Sequence, residues 1–279
     1  MLVALKVIDY QPGGLKKRFR TWCRKTGEVT SEFVPVANTR FLLITAEKDS
    51  KERVDWGKIR RLALGEAGRM LFGVDVYPPP NSGIIPYQGN ALMRAIMLTS
   101  AMTVLQKLPA TNGQRIVGIY DPEARMPEIV EKIIPLVADV RVVTHCPSGY
   151  HTAEDKIMQQ YGATLTVTDR AEVMAPCILV LAPFGTEKLT NLGRGICFSG
   201  KPEVRRKVVG GYIPNVPPQI IKINPAGCDV WHFVSGLYEL SGYYEIADTP
   251  PLMLSINGKN VTLQEVCWRL AGIDIGISV

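Results

Sequence analysis

From residue 115 to residue 200 short apolar runs alternate with amphipathic stretches. RIVGIY (115–120), DVRVVT (139–144), TLTVT (164–168), CILVLAP (177–183) and ICFSG (196–200) each read as a strand. Their near-continuous apolarity is that of strands covered on both faces, which is the habit of parallel sheets. Between them, Pro122 to Val137 places Ile129, Val130, Ile133, Ile134 and Val137 at helical spacing. Thr152 to Tyr161 predicts a second helix, and Arg170–Met174 a short helical turn.

Strand–helix repetition of this kind predicts an α/β fold: a Rossmann-like, doubly wound parallel sheet. Right-handed crossovers would gather the strand ends and the loops leaving them along one rim, where such sheets bind ligands. Ahead of it, residues 1 to 88 predict a smaller N-terminal α/β domain. Leu2–Ile8, Val29–Val36 and Thr39–Thr45 read as strands, and Asp55 is placed to cap a helix carrying Ile59, Leu62, Ala63, Ala67 and Leu71. Tyr77–Gly83, with three consecutive prolines, marks a connection. A linking helix follows within 89–112, its apolar residues nearly encircling it from Asn90 to Leu108. The rest, 113–279, is expected to form the Rossmann-like domain with C-terminal helices packing back onto it. One of these runs from Val230 to Leu240; the other opens with the capping quartet Thr262-Leu-Gln-Glu265 and carries Leu263, Val266, Cys267 and Leu270 on one stripe.

Composition changes this picture little. The 279 residues are 46% apolar and 21% charged, with no uninterrupted apolar run of the ~18 residues a membrane span needs. The opening MLVALKVIDY lacks a basic leader and reads as a strand, so no signal peptide is expected. Six cysteines lie scattered without a CxxC pair, which suits a reducing, cytoplasmic setting. The net charge of +6 is matched by one segment, Lys16 to Lys25, whose Phe19 and Trp22 could stack on bases. No nucleic-acid-binding motif accompanies it, and a solvated segment resting two aromatics on the core is the preferred reading. Apolar excess in the long helix and in Val230–Leu240 suits a dimer surface as well as a core.

Chemistry is expected at the strand rim. A dinucleotide site normally carries GxGxxG after the first strand, so that backbone can approach a pyrophosphate. Here the turn reads Asp121-Pro-Glu-Ala-Arg-Met-Pro127, without glycine and with two acids where phosphate would sit. The second strand leads into Thr144-His145-Cys146-Pro147-Ser148, with no carboxylate for a ribose. If NAD(P) binds, then Asp121, Pro122, Glu123, Ala124, Thr144, His145, Cys146, Ser148, Ala182, Pro183, Phe184 and Gly185 would line it. The missing acid would favour a 2′-phosphate, hence NADP. His145, Cys146, His151, Cys228, Asp229 and His232 are residue types that zinc accepts, but their spacing matches no compact motif, so no metal is expected. Cys146 paired with His151 or His232 as a nucleophile and base is a further arrangement. Neither GxSxG nor a P-loop occurs.

The layout resembles the shikimate dehydrogenase family and related two-domain NAD(P)-binding proteins. A small α/β domain, a helix opening with PYQGNALMRAI (86–96) and the strand RIVGIY follow one another in that order. The resemblance implies an NAD(P)-dependent oxidoreductase. The family's helix opens with Asn-Thr-Asp-Gly, whose aspartate is catalytic; Tyr87-Gln88-Gly89-Asn90 lacks the acid, and neither the catalytic lysine motif nor the glycine-rich turn has a counterpart. Two expectations therefore stand: an oxidoreductase-like protein binding a nucleotide or other small molecule at the rim, or a non-catalytic ligand-sensing or assembly module on the same fold.

Overall fold

A computed structural model describes residues 1–9, 27–108, 115–187, 189, 192, 195–225 and 227–272. The basic segment Lys16 to Lys25 lies outside the described residues. The chain forms two compact units, Met1–Leu92 with Val216–Ile246, and Met93–Asn215 with Ala247–Val279.

The first unit is built on four strands: β1 (Val3–Ile8), β2 (Val29–Val36), β3 (Thr39–Glu47) and β4 (Met70–Phe72), in the order β2-β3-β1-β4. β1 runs parallel to β3 and β4, whereas β2 and β3 form an antiparallel hairpin. Asp55 caps α1 (Trp56–Leu62), accepting from the Lys58 N–H at 2.9 Å, so Ile59 and Ala63 reach the apolar cluster around Val3, Leu5, Leu42 and Ile44. α5 (Pro218–Ile223) and α6 (Val230–Ser241) belong to this unit too. α6 lies close enough to β1 that a Cβ on Gly236 would stand 2.8 Å from the Leu2 side chain, and Phe233 meets Phe41 edge-on at 5.3 Å. The division expected from sequence kept 113–279 together. The contacts instead return 216–246 to the first unit, where α6 sets Phe233 on Phe41 and Gly236 on Leu2.

The second unit begins in α2 (Ala91–Lys107), buried along Met93, Ile96, Met97, Leu98, Ala101, Val104 and Leu105. Its sheet contains β5 (Ile116–Tyr120), β6 (Asp139–Val143), β7 (Thr166–Thr168), β8 (Leu179–Ala182), β9 (Ile196–Ser199), β10 (Val208–Ile213), β11 (Met253–Ile256) and β12 (Lys259–Val261). The order is β12-β11-β10-β9-β8-β5-β6-β7, and every pair from β7 to β10 is parallel. Counted from β5, this is the Rossmann order, with the winding reversing between β5 and β8. β11 and β12 extend the β10 edge antiparallel. The fold class expected from the apolar strands is the one observed.

The helix expected from Pro122 to Val137 is much shorter. Only α3 (Ile129–Ile133) is α-helical, followed by a tight turn at Ile134–Leu136. Pro122, Pro127 and Pro135 each remove a backbone donor from the run. α4 (His151–Tyr161) buries Ala153 and Ile157, and Gly162 closes it in the left-handed conformation. α7 (Leu263–Leu270) carries the capping box anticipated at Thr262 and Glu265.

Candidate functional site

Asp121 is the first residue past β5 and is fully buried. Its Oδ1 accepts from the Arg125 N–H at 3.1 Å; its Oδ2 accepts from the Met126 N–H at 2.8 Å and from the Tyr150 hydroxyl at 3.0 Å. Tyr150 is fully buried and arrives from the segment after β6. Burial, then the Asp121 charge and its hydrogen bond, hold that phenol protonated far above its ordinary range. A neighbouring contact stitches the two strand ends together: Pro122 O accepts from the His145 N–H at 2.9 Å and from the Thr144 hydroxyl at 3.3 Å. Thr144 Oγ1 in turn accepts from the Cys146 N–H at 3.1 Å.

This geometry tests the dinucleotide expectation. In a Rossmann site the backbone N–H groups after the first strand face the pyrophosphate. Here two of those donors already serve the Asp121 carboxylate. Ala124 holds a Cβ at φ +50°, and the missing Cβ of Gly149 is what lets that loop approach to within contact of it. The turn supplies its own anion, so the residues present do not fit a diphosphate over β5.

The opening lies instead on the β8 side of the reversal. A crevice of about 240 Å³ is lined by Tyr120, Asp121, Pro122, Glu123 and Arg125 after β5, by Phe184, Gly185 and Glu187 after β8, and by Lys201 after β9. The Arg125 guanidinium pairs with Glu123 and lies 5.1 Å from the Phe184 ring centroid; Arg94 of α2 lies 5.3 Å from the same centroid. Lys201 Nζ stands 3.6 Å from Glu187. Gly185 takes φ +96°, a turn that other residues enter only under strain. Behind this lining a polar web fixes the wall: Glu203 accepts from the Thr186 N–H at 2.8 Å, from the Thr186 hydroxyl and from the Ser199 hydroxyl at 2.9 Å. Arg205 donates to Thr186 O at 2.9 Å.

Of the residues proposed from sequence, Asp121, Pro122, Glu123, Phe184 and Gly185 line this crevice together. Ala182 and Pro183 are buried behind it, where Ala182 O accepts from the Gly185 and Gly200 N–H groups. Ala124 and Thr144 are outside the lining, as are His145, Cys146 and Ser148, which stand exposed beyond β6. Tyr120, Arg125, Glu187 and Lys201 were not among the residues expected to line it. Lys201 stands two residues past the apolar strand β9, the position that could have marked it.

Among the described residues no group of three His, Cys, Asp or Glu side chains comes together to hold a metal ion. Cys146 is exposed, whereas Cys177, Cys197, Cys228 and Cys267 are buried. Burial pushes the thiols of Cys177 and Cys228 up to about 11 and raises that of Cys197 further. Raised values leave little thiolate at pH 8, and thiolate is the reactive form. Alkylation of the native protein at pH 8, followed by peptide mass spectrometry, is expected to modify Cys146 at least ~10-fold faster than Cys177, Cys197 or Cys228. Equal rates would mean that these buried positions open to solvent.

The second unit is thus of Rossmann type, with a crevice at its reversal point and a self-filled turn where a diphosphate would lie. No protein-family model matches the chain, and no curated protein matches it in sequence. In structure it is similar to L-tryptophan dehydrogenase from Nostoc punctiforme, at a TM-score of 0.34 and 14% identity, over 97% of this chain and 86% of that one. No described helix is long and apolar enough to cross a membrane.

Proposed function

We propose that the chain binds a small organic molecule carrying charges of both signs, held in the crevice between β5 and β8. The observation behind this reading is the lining itself: Arg125 and Lys201 supply cations, Glu123 and Glu187 carboxylates, and Phe184 an apolar face. These four charged side chains form two pairs, Arg125 with Glu123 and Lys201 with Glu187, so a zwitterion could exchange one ion pair for two without leaving a charge unmatched. About 240 Å³ lies below the ~300–1,000 Å³ usual for drug-sized ligands, which suits an amino-acid-sized molecule better than a whole dinucleotide. On this reading the protein is a small-molecule binder or sensor, with Asp121 and Tyr150 as fixed structure.

The second reading is an NAD(P)-dependent oxidoreductase. The strand order around β5 favours it, because that order is the one dinucleotide-binding sheets use. One experiment separates the two. Thermal unfolding is followed with NAD, NADP and a panel of free amino acids at millimolar concentration, in the wild type and in Lys201→Ala. A ligand at 100 times its Kd adds about 2.7 kcal/mol, enough for a shift of several degrees. Stabilisation by one or more amino acids, lost in Lys201→Ala, is the expected result. Stabilisation by NAD or NADP alone would overturn it in favour of the second reading.

A further inference from the structure

The first unit holds a cleft of its own, of about 460 Å³, built on β4 and the chain that follows it. The floor is tied down. Met70 donates its N–H to Ile85 O at 2.9 Å, and Met70 O accepts from the Tyr87 N–H at 2.8 Å, so residues 85–87 pair with Met70 in a parallel bridge. The loop after β4 rests on the segment before α6: Val74 N–H donates to Gly227 O at 3.3 Å, and a Cβ on Gly73 would come within 3.0 Å of that oxygen. Most of the lining is apolar, from Phe72, Val76, Tyr77, Ile84 and the run Pro78–Pro80.

One side is polar. Asp229, the N-cap of α6, and His232, in its first turn, both line the cleft. Asp229 Oδ1 caps the helix by accepting from the His232 N–H at 3.0 Å, and the His232 Nδ1 lies 3.1 Å from the same oxygen. A carboxylate oxygen only accepts, so Nδ1 must carry the hydrogen. In the neutral ring the lone pair is therefore on Nε2. Among the described residues no hydrogen bond is made to Nε2, which leaves an acceptor at the half-exposed rim of a largely apolar cleft.

We infer that this cleft is a second ligand site, for a planar aromatic molecule bearing one hydrogen-bond donor, a phenolic hydroxyl or ring N–H, that donates to His232 Nε2. The prolines and Tyr77 supply flat apolar walls for the ring, and the Asp229 carboxylate sets the tautomer that receives the donor. Its lining lies wholly within the first unit, and its ligand need not be the molecule held by the crevice in the second.

The full chain contains three histidines, so their imidazole resonances can be assigned by single substitution. Titration with 4-methylphenol is expected to shift the resonances lost in His232→Ala and to leave those of His145 and His151 in place. Toluene has the same ring without the donor, and is expected to bind roughly tenfold more weakly, the difference one well-made hydrogen bond gives. In His232→Ala the two affinities should converge, while Asp229→Asn, which retains a capping oxygen, reports whether the helix start survives. Equal affinity for both compounds in the wild type, shifts confined to His145 or His151, or no saturable binding would each overturn the inference.

Discussion

Asp121→Ala is expected to destabilise the protein by about 4 kcal/mol, because it strands buried donors that a charged acceptor now serves. The carboxylate accepts from two backbone N–H groups and one phenol, all within 3.1 Å. Hydrogen bonds to a charged group contribute about 1.5–3 kcal/mol each, and their loss here is partly offset because the carboxylate is no longer buried. Tyr150→Phe removes only one of the three, so a cost near 1.5 kcal/mol is expected. Urea denaturation followed by circular dichroism measures both. The pair also carries a pH signature. The native state keeps the Tyr150 proton well above the ordinary phenol value of 10, whereas the unfolded chain releases it there. The unfolded state then binds fewer protons, so stability is intact below pH 10 and falls as pH rises beyond it. Part of that alkaline slope should vanish in Tyr150→Phe. An Asp121→Ala variant as stable as the wild type would mean that the turn is not organised around the carboxylate, and the space for a diphosphate would be open again.

That self-filled turn was half legible. The absence of glycine from Asp121–Pro127 could be read from the sequence, and so could the conflict between two acids and a phosphate. The partner could not: Tyr150 lies 29 positions away and reaches Asp121 only because β5 and β6 are neighbours. The strands of the second unit were legible wherever burial on both faces makes an apolar run. β10 was not, because Gly210 and Gly211 interrupt its pattern: a Cβ at Gly210 would stand 2.0 Å from Glu203 O, so packing dictates the glycine. β4 is only three residues long and offers no period to detect. The placement of α6 is a tertiary fact. An apolar helical stripe announces that it will be buried without saying against which sheet, and here the Phe41 ring and the Leu2 side chain decide it. The crevice divides in the same way. Residues leaving β5 and β8 were found because the fold rule names those strand ends, while Lys201 depends on β9 lying next to β8.

The approach of those two strands carries the other large expected effect. Gly200 follows β9, and its N–H donates to Ala182 O at 2.9 Å at the end of β8. A Cβ there would stand 2.2 Å from Pro183 O and 2.8 Å from both Pro183 C and Arg94 Cγ. Backbone cannot swing aside as a side-chain tip can, so Gly200→Ala must part the ends of β8 and β9. Overpacking of this kind costs about 3 kcal/mol. The damage should reach the crevice, because Phe184 and Gly185 lie just beyond Pro183, Lys201 just beyond Gly200, and Ser199 holds the Glu203 web. Gly57→Ala in α1 is the matching control: its Cβ would meet nothing closer than Asp55 Oδ1 at 3.6 Å. Helix propensity there favours alanine by up to about 1 kcal/mol. Thermal unfolding of the two variants should therefore move in opposite directions, with ligand-induced stabilisation weakened in Gly200→Ala and kept in Gly57→Ala. If Gly200→Ala melts with the wild type and still responds to ligand, the wall between β8 and β9 is looser than these distances require, and the crevice cannot owe its shape to that contact.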